Sequence, residues 1–300
     1  MTTQASSSPP GQDVSFYVAL WKRPGISRGD FDDYWRDVHG PVCARLPGQH
    51  EYWQYHLANL EGGFFPAIDG VDMVCHGPDQ FHGIAELTFA NPEQRQVWFG
   101  ASAILMDDEH NIFSKAIGYT TSPGNSKTLL DRYPSNAPNG VFPGVRYHVM
   151  LQKRSGVARD QFRNHLSQEV FPVLAEIPQI SRLRYHLFDD LDLSRPDAQG
   201  VVHNEPLESQ YHAAFEIAFF NPLDREVALA SAAYAKATSD IGKTVSMFKP
   251  FPEATAYTFV YADAMTMAGM RGASTAELIE RLGATNQLRD DIRQLMLKGY

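Results

Sequence analysis

The stretch V-S-F-Y-V-A-L-W-K-R-P-G-I-S-R-G-D-F, from Val14 to Phe31, recurs as V-R-Y-H-V-M-L-Q-K-R-S-G-V-A-R-D-Q-F from Val145 to Phe162, 131 positions later. A second pair follows. F-H-G-I-A-E-L-T-F-A-N-P-E-Q-R, Phe81 to Arg95, matches Y-H-A-A-F-E-I-A-F-F-N-P-L-D-R, Tyr211 to Arg225, at an offset of 130. Between them Y-H-L stands at Tyr55–Leu57 and again at Tyr185–Leu187. A near-constant offset over so long a stretch marks a duplicated domain, since the period is too long for a solenoid unit. The expected layout is a disordered tail over 1–13, a first repeat over 14–125, a Pro/Gly-containing linker over 126–143, a second repeat over 144–260 and a helical tail over 261–300.

Each repeat reads β-α-β-β-α-β. Residues 14–22 alternate, with Val14, Phe16, Val18 and Leu20 on one face and Ser15, Tyr17, Ala19 and Trp21 on the other, which is a strand. Pro24-Gly25 turns the chain, and Ser27 with Asp30 forms a capping box ahead of Phe31, Trp35, Val38, Val42 and Leu46 at helical spacing. Further strands are expected at 51–57, 81–89 and near 112–121, with a second helix begun by Asn91-Pro92. This order is that of a ferredoxin-like sheet with both helices on one face. The bare face must be covered, so the fold class expected is α+β, two tandem ferredoxin-like repeats whose antiparallel sheets pack into a pseudo-dimeric α+β barrel around a pocket.

The composition narrows the function classes. Of 300 residues, 43% are hydrophobic and 20% charged, enough for a sizeable core. A net charge of −9 without a basic stretch argues against nucleic acid and anionic membrane surfaces as partners. Two cysteines cannot build a disulfide framework or a cysteine-rich zinc site. No apolar leader or membrane-length run is present, so a cytoplasmic location is expected, as monomer or homodimer. The Asp107-Asp108-Glu109-His110 run reads as a solvated helix end, and no metal is expected.

The segment from Lys22 to Pro41, K-R-P-G-I-S-R-G-D-F-D-D-Y-W-R-D-V-H-G-P, resembles the signature of EthD-like proteins, which are dimeric α+β barrel domains. Arg23, Gly25, Phe31, Tyr34, Trp35, His39 and Pro41 carry the likeness. The second repeat keeps Arg154, Gly156, Phe162, His165 and Pro172 but has Leu166 and Val170 where the first has Trp35 and His39. The resemblance implies cofactor-free chemistry on aromatic or polyketide-like small molecules.

The strand phases nominate pocket residues. In strand one they are Tyr17 and Trp21. In strand two, taking Trp53, Tyr55 and Leu57 as helix-facing, they are Tyr52, Gln54 and His56. In strand three they are His82, Ile84, Glu86 and Thr88. The second repeat supplies Arg146 and His148, then Arg182, Arg184 and His186, then His212 and Glu216. Polar groups on a covered sheet face need partners or a ligand. The catalytic set expected is His39, at the pocket rim, with His82, His56 and Tyr17. The substrate-binding set expected is Trp21, Tyr52, Glu86, His148, Arg184, His186, His212 and Glu216. Imidazole titrates near neutrality, so His39 is the leading proton carrier.

The function expected is a cofactor-free lyase acting by His-based acid/base chemistry on an aromatic or enolisable molecule, through dehydration, retro-aldol cleavage, decarboxylation or cyclisation. A non-catalytic small-molecule binding module and a cofactor-independent monooxygenase are the alternatives. Ser274 with Glu277, and the apolar residues from Leu278 to Met296, predict two amphipathic helices in the tail.

Overall fold

A computed structural model describes residues 13–58, 64–75, 77, 80–133, 139–193 and 198–298. Apart from Asp13, the tail read over 1–13 lies outside the described residues, as does 134–138 within the expected linker.

The alternating segments form strands β1 (Val14–Lys22), β2 (Glu51–Leu57), β3 (Gly83–Phe89), β4 (Phe113–Thr120), β5 (Ser126–Asp131), β6 (Asn139–Gly140), β7 (Val145–Lys153), β8 (Ile180–Leu187), β9 (Ala213–Phe219), β10 (Val245–Tyr261) and β11 (Ala264–Met265). They make an α+β fold with one large antiparallel sheet in the order β4-β1-β3-β2-β10-β7-β9-β8-β5, with β6 and β11 beside β10. Within this path the run β4-β1-β3-β2 is followed by the run β10-β7-β9-β8. The 17-residue β10 joins them, its first part pairing with β7 and its last with β2.

The hydrogen-bonded path is open, which corrects the expectation of a closed barrel. It ends at β4 and β5, consecutive segments separated by Thr121–Asn125. Pro123 has no N–H for a ladder and Gly124 takes φ +83°, so the backbone leaves strand geometry there. The expected linker over 126–143 is not plain loop either, since its first residues form β5 against β8.

The two parts of the sheet nevertheless face each other. Phe81 packs against Phe251 with ring centroids 4.2 Å apart, and Tyr55 lies 4.2 Å from the His148 ring. The outer faces carry the helices. Phe16, Val18, Leu20, Ala85 and Leu87 pack with Phe31, Trp35, Trp98 and Leu105 in one core, and Tyr147, Val149, Leu183 and Ile217 pack with Phe162, Leu166 and Tyr234 in the other.

Ser27 caps the helix Arg28–Tyr34 through the capping box read from the sequence. That helix then widens into a π-helical turn over Trp35–His39, and the corresponding helix does the same over His165–Val170. Such turns push extra side chains toward a packed face and recur at functional sites. Here the turn seats Trp35 over Gly83, where an added Cβ would overlap the indole. Replacing a strand glycine by alanine is ordinarily neutral or stabilising. Gly83→Ala is therefore expected to cost about 2 kcal/mol or more through overpacking, and Trp35→Leu on that background should return part of the loss in urea denaturation. Stabilisation by Gly83→Ala alone would contradict this packing.

Candidate active site

The sheet separates the expected site residues into two groups. Tyr17 and Glu86 are neighbours across β1 and β3, as are His148 and Glu216 across β7 and β9, and these side chains lie between the facing sheets. Tyr17 Oη is 3.4 Å from His148 Nδ1, and His148 Nε2 is 3.1 Å from Glu253 Oε2. Arg184 Nε donates to Glu86 at 2.8 Å and Tyr55 Oη donates to its other oxygen at 3.2 Å. His186 joins Glu86 at 3.4 Å and Ser126 at 2.9 Å. Glu216 takes Arg182 at 2.8 Å and Arg146 at 3.1 Å. Trp21 lies on this side as well, 5.3 Å from the Phe81 ring and under the Lys115 ammonium.

Electrostatics fix the charge states here. Burial would raise Glu216, but Arg182 and Arg146 overcome it and bring the carboxyl down to about 2. Burial pushes His186 down to about 4 despite the neighbouring Glu86. Burial and then Glu86 hold the Tyr17 hydroxyl well above its ordinary value. The phenol therefore stays protonated and serves as a hydrogen-bond donor.

His39, Tyr52 and His56 lie on the other side of the sheet, among the helices, which corrects two expectations. His39 is not at the rim of the inter-sheet space. The strand-two faces are also inverted, since Tyr52 packs with Trp35 and Phe259, whereas Trp53, Tyr55 and Leu57 point between the sheets. The cause is a one-residue slip. The register pairs Trp53 with Glu86 and Arg184 with Glu216, so Tyr55 corresponds to His186 and the repeated Y-H-L is out of step. A slip of one residue moves every side chain to the opposite face.

His82 and His212 correct a third expectation. Each precedes its strand and turns away from the inter-sheet space, its Nδ1 accepting the backbone N–H of Lys22 at 3.2 Å and of Lys153 at 3.3 Å respectively. Burial, then the neighbouring cations, bring both to about 4. These are neutral imidazoles tying strand ends.

On the helix side His39 is 6% exposed and its Nδ1 lies 2.8 Å from Asp108 Oδ2. Asp108 also accepts from Tyr34 Oη at 2.7 Å and Asn111 Nδ2 at 3.0 Å. The bond from His39, with those from Tyr34 and Asn111, holds the Asp108 carboxyl far below its ordinary value. Tyr34 is pushed up to about 12 in turn. Among the described residues His39 Nε2 has no partner, and the ring lines a cavity of about 40 Å³ with Trp35, Cys43, Tyr52, Glu109 and His203. Asp108 and Glu109 are thus not a solvated helix end, because Glu109 binds His203. His56 donates to Asp32 at 2.7 Å and stacks on Trp35 at 4.4 Å, and burial keeps its pKa below the ordinary value.

Asp108 is the functional candidate that sequence reasoning missed. An acidic run gives no sign of which carboxylate turns inward, and only the 69-residue contact with His39 reveals it.

Residues 23–116 match the EthD domain family model, so the likeness carried by the Arg23–Pro41 motif holds over that stretch. No curated protein matches the chain. Solved structures with similarity include an anthrone oxidase-like protein, with a TM-score of 0.49 and 9% identity over 85% of this chain and 94% of that one. A DyP-type peroxidase from Cellulomonas bogoriensis has a TM-score of 0.41 and 10% identity over 84% and 91%. A mutant chlorite dismutase from Candidatus Nitrospira defluvii has a TM-score of 0.41 and 7% identity over 81% and 91%. Among the described residues no helix is long and apolar enough to cross a membrane.

The depressed histidines set a pH dependence. An unfolded histidine takes up its proton near pH 6.5, whereas folded His82, His186 and His212 resist it down to about 4. The unfolded state therefore binds more protons in that window, and stability that is complete above about pH 6.5 is lost as pH falls toward 4. The melting temperature is expected to fall by about 5 °C or more between pH 7 and 4.5, with a shallower slope in His186→Gln. An unchanged Tm over that range would contradict neutral burial of these rings.

Proposed function

We propose that this chain is a cofactor-free acid/base enzyme, a lyase acting on an aromatic or enolisable small molecule, with His39 as proton carrier. The observation that carries the reading is the His39–Asp108 pair at 2.8 Å, with no partner on Nε2 among the described residues and the residue lining a cavity. A carboxylate on Nδ1 fixes the tautomer that leaves Nε2 basic and stabilises the imidazolium once it forms. Nε2 takes a proton from the carbon beside a carbonyl. The imidazolium then returns it to the leaving hydroxyl in dehydration or to the new alkoxide in ring closure; in retro-aldol cleavage Nε2 instead takes the β-hydroxyl proton, the C–C bond breaks, and the imidazolium protonates the enolate carbon. Tyr52, on the same cavity and oriented by Gln54 Nε2 at 2.8 Å, is the hydroxyl placed to donate to the enolate oxygen. It takes the role expected of Tyr17, which lies across the sheet. The cavity is small, about 40 Å³, so a ring-sized substrate needs its lining side chains to part while the His39–Asp108 pair is kept.

We also propose that the chain is two EthD-like repeats, over 14–125 and 144–260, of which only the first keeps this chemistry. Support comes from paired details. The turn glycines Gly25 and Gly156 have φ +86° and +80°. The ammoniums of Lys22 and Lys153 each donate to a carbonyl four residues on at 2.7 Å. Asn91 and Asn221 cap the later helices alike. At the position of His39 the second repeat has buried Val170, which cannot carry a proton.

The test is turnover on a panel of aryl β-hydroxy ketones and 1,3-diketones. His39→Ala is expected to lower kcat by about 10²–10⁴-fold with the fold retained, and Asp108→Asn by a comparable factor through the wrong tautomer. His82→Ala should change stability more than kcat. Full activity in folded His39→Ala removes this residue from the mechanism, and binding without turnover in the wild type would favour a binding module.

A further inference from the structure

We propose a second ligand site between the facing sheets, separate from the His39 cavity, which takes a planar hydroxylated aromatic carboxylate. A cavity of about 600 Å³ opens there, within the range of small-molecule sites and large enough for two fused rings. Arg146, Arg182 and Arg184 form one wall.

Each guanidinium is held from behind. Arg184 uses Nε on Glu86 at 2.8 Å and Nη1 on Thr128 at 3.0 Å. Arg182 uses Nε on Glu216 at 2.8 Å and Nη1 on Asp131. Arg146 uses Nη1 on Glu216 at 3.1 Å and lies 3.9 Å above the Phe142 ring. Anchored in this way, the planar groups keep donors in a fixed direction, and fixed paired donors suit a carboxylate. Trp53 and Tyr261, edge to face at 6.2 Å, line the same space and supply aromatic surface.

A second observation points to a ligand with a hydroxyl. Thr88 is 4% exposed, and its Oγ1 has no partner among the described residues. Asn139 Oδ1 is likewise a buried acceptor without a donor. Both line the cavity. Unpaired buried polar atoms are costly, and a hydroxyl on the ligand can accept from Thr88 or donate to Asn139.

Glu86, Glu216, Asp131 and Glu253 already balance the three arginines, so recognition rests on directed N–H···O bonds and stacking and not on net charge. Affinity should therefore fall little with salt. This site does not depend on the His39 reading, because Tyr52 and Trp53 point to opposite faces of β2.

The test titrates the full chain with 3-hydroxy-2-naphthoate, followed by ligand fluorescence and calorimetry, alongside its methyl ester. One molecule is expected to bind per chain, with Kd below about 100 μM, and the ester at least tenfold more weakly. Arg184→Lys, which keeps a charge against Glu86, and Trp53→Leu should each weaken binding at least tenfold, while His39→Ala leaves it unchanged. The ester comparison on the unaltered protein decides the matter even if a variant fails to fold. No binding up to about 1 mM, equal affinity for the ester, or loss of binding in His39→Ala with none in folded Trp53→Leu would overturn the proposal.

Discussion

Glu86 meets Arg184, His186 and Tyr55 where the two parts of the sheet face each other, and the rest of the architecture is arranged around that buried charge. Glu216 with Arg146 and Arg182, and Glu253 with His148, extend the cluster. Burying a carboxylate costs several kcal/mol, offset only when partners of opposite charge sit in good geometry. The cluster is therefore weak as a source of stability and strong as a constraint. Any register that moved Glu86 or Arg184 by one residue would strand a charge in the interior. The same constraint points the arginines into the larger cavity and keeps His186 neutral beside Ser126.

The sheet thereby divides the polar chemistry in two. Between the faces, charges are balanced and largely fixed, which suits holding a ligand and does not suit moving protons. On the helix side the surroundings are apolar and aromatic, and the His39 imidazole, supported by Asp108, has no partner on its other nitrogen among the described residues. The π-helical turn produces this arrangement by carrying both Trp35 and His39 inward. Gly40 completes it, since a Cβ there would come within 2.8 Å of Phe259 and Gln54.

Much of this was legible in the sequence where periodicity is unambiguous. In β1, β7 and β9 the alternation assigned Tyr17, His148 and Glu216 to the covered face, because apolar residues filled the other. Strand β2 resisted. Its residues Tyr52, Trp53, Gln54, Tyr55 and His56 are large and amphipathic on both faces, so alternation gave no phase and the repeated Y-H-L was followed one residue out of step. His82 was misplaced because the strand begins at Gly83, after an irregular turn that no pattern marks. Asp108 and His203 act through contacts distant in sequence, and an acidic run or a lone loop histidine carries no trace of its partner. The open seam between β4 and β5 was signalled only by Pro123-Gly124, which also reads as an ordinary turn.

The most direct measurement is a double-mutant cycle on Glu86→Gln and Arg184→Met, read by denaturant unfolding. If the buried pair ties the facing sheets together, each single change strands its partner and costs roughly 3–5 kcal/mol. The double change then costs less than the sum by at least about 1–2 kcal/mol. Additive losses, or single changes that leave stability untouched, would contradict the dependence of the fold on this contact.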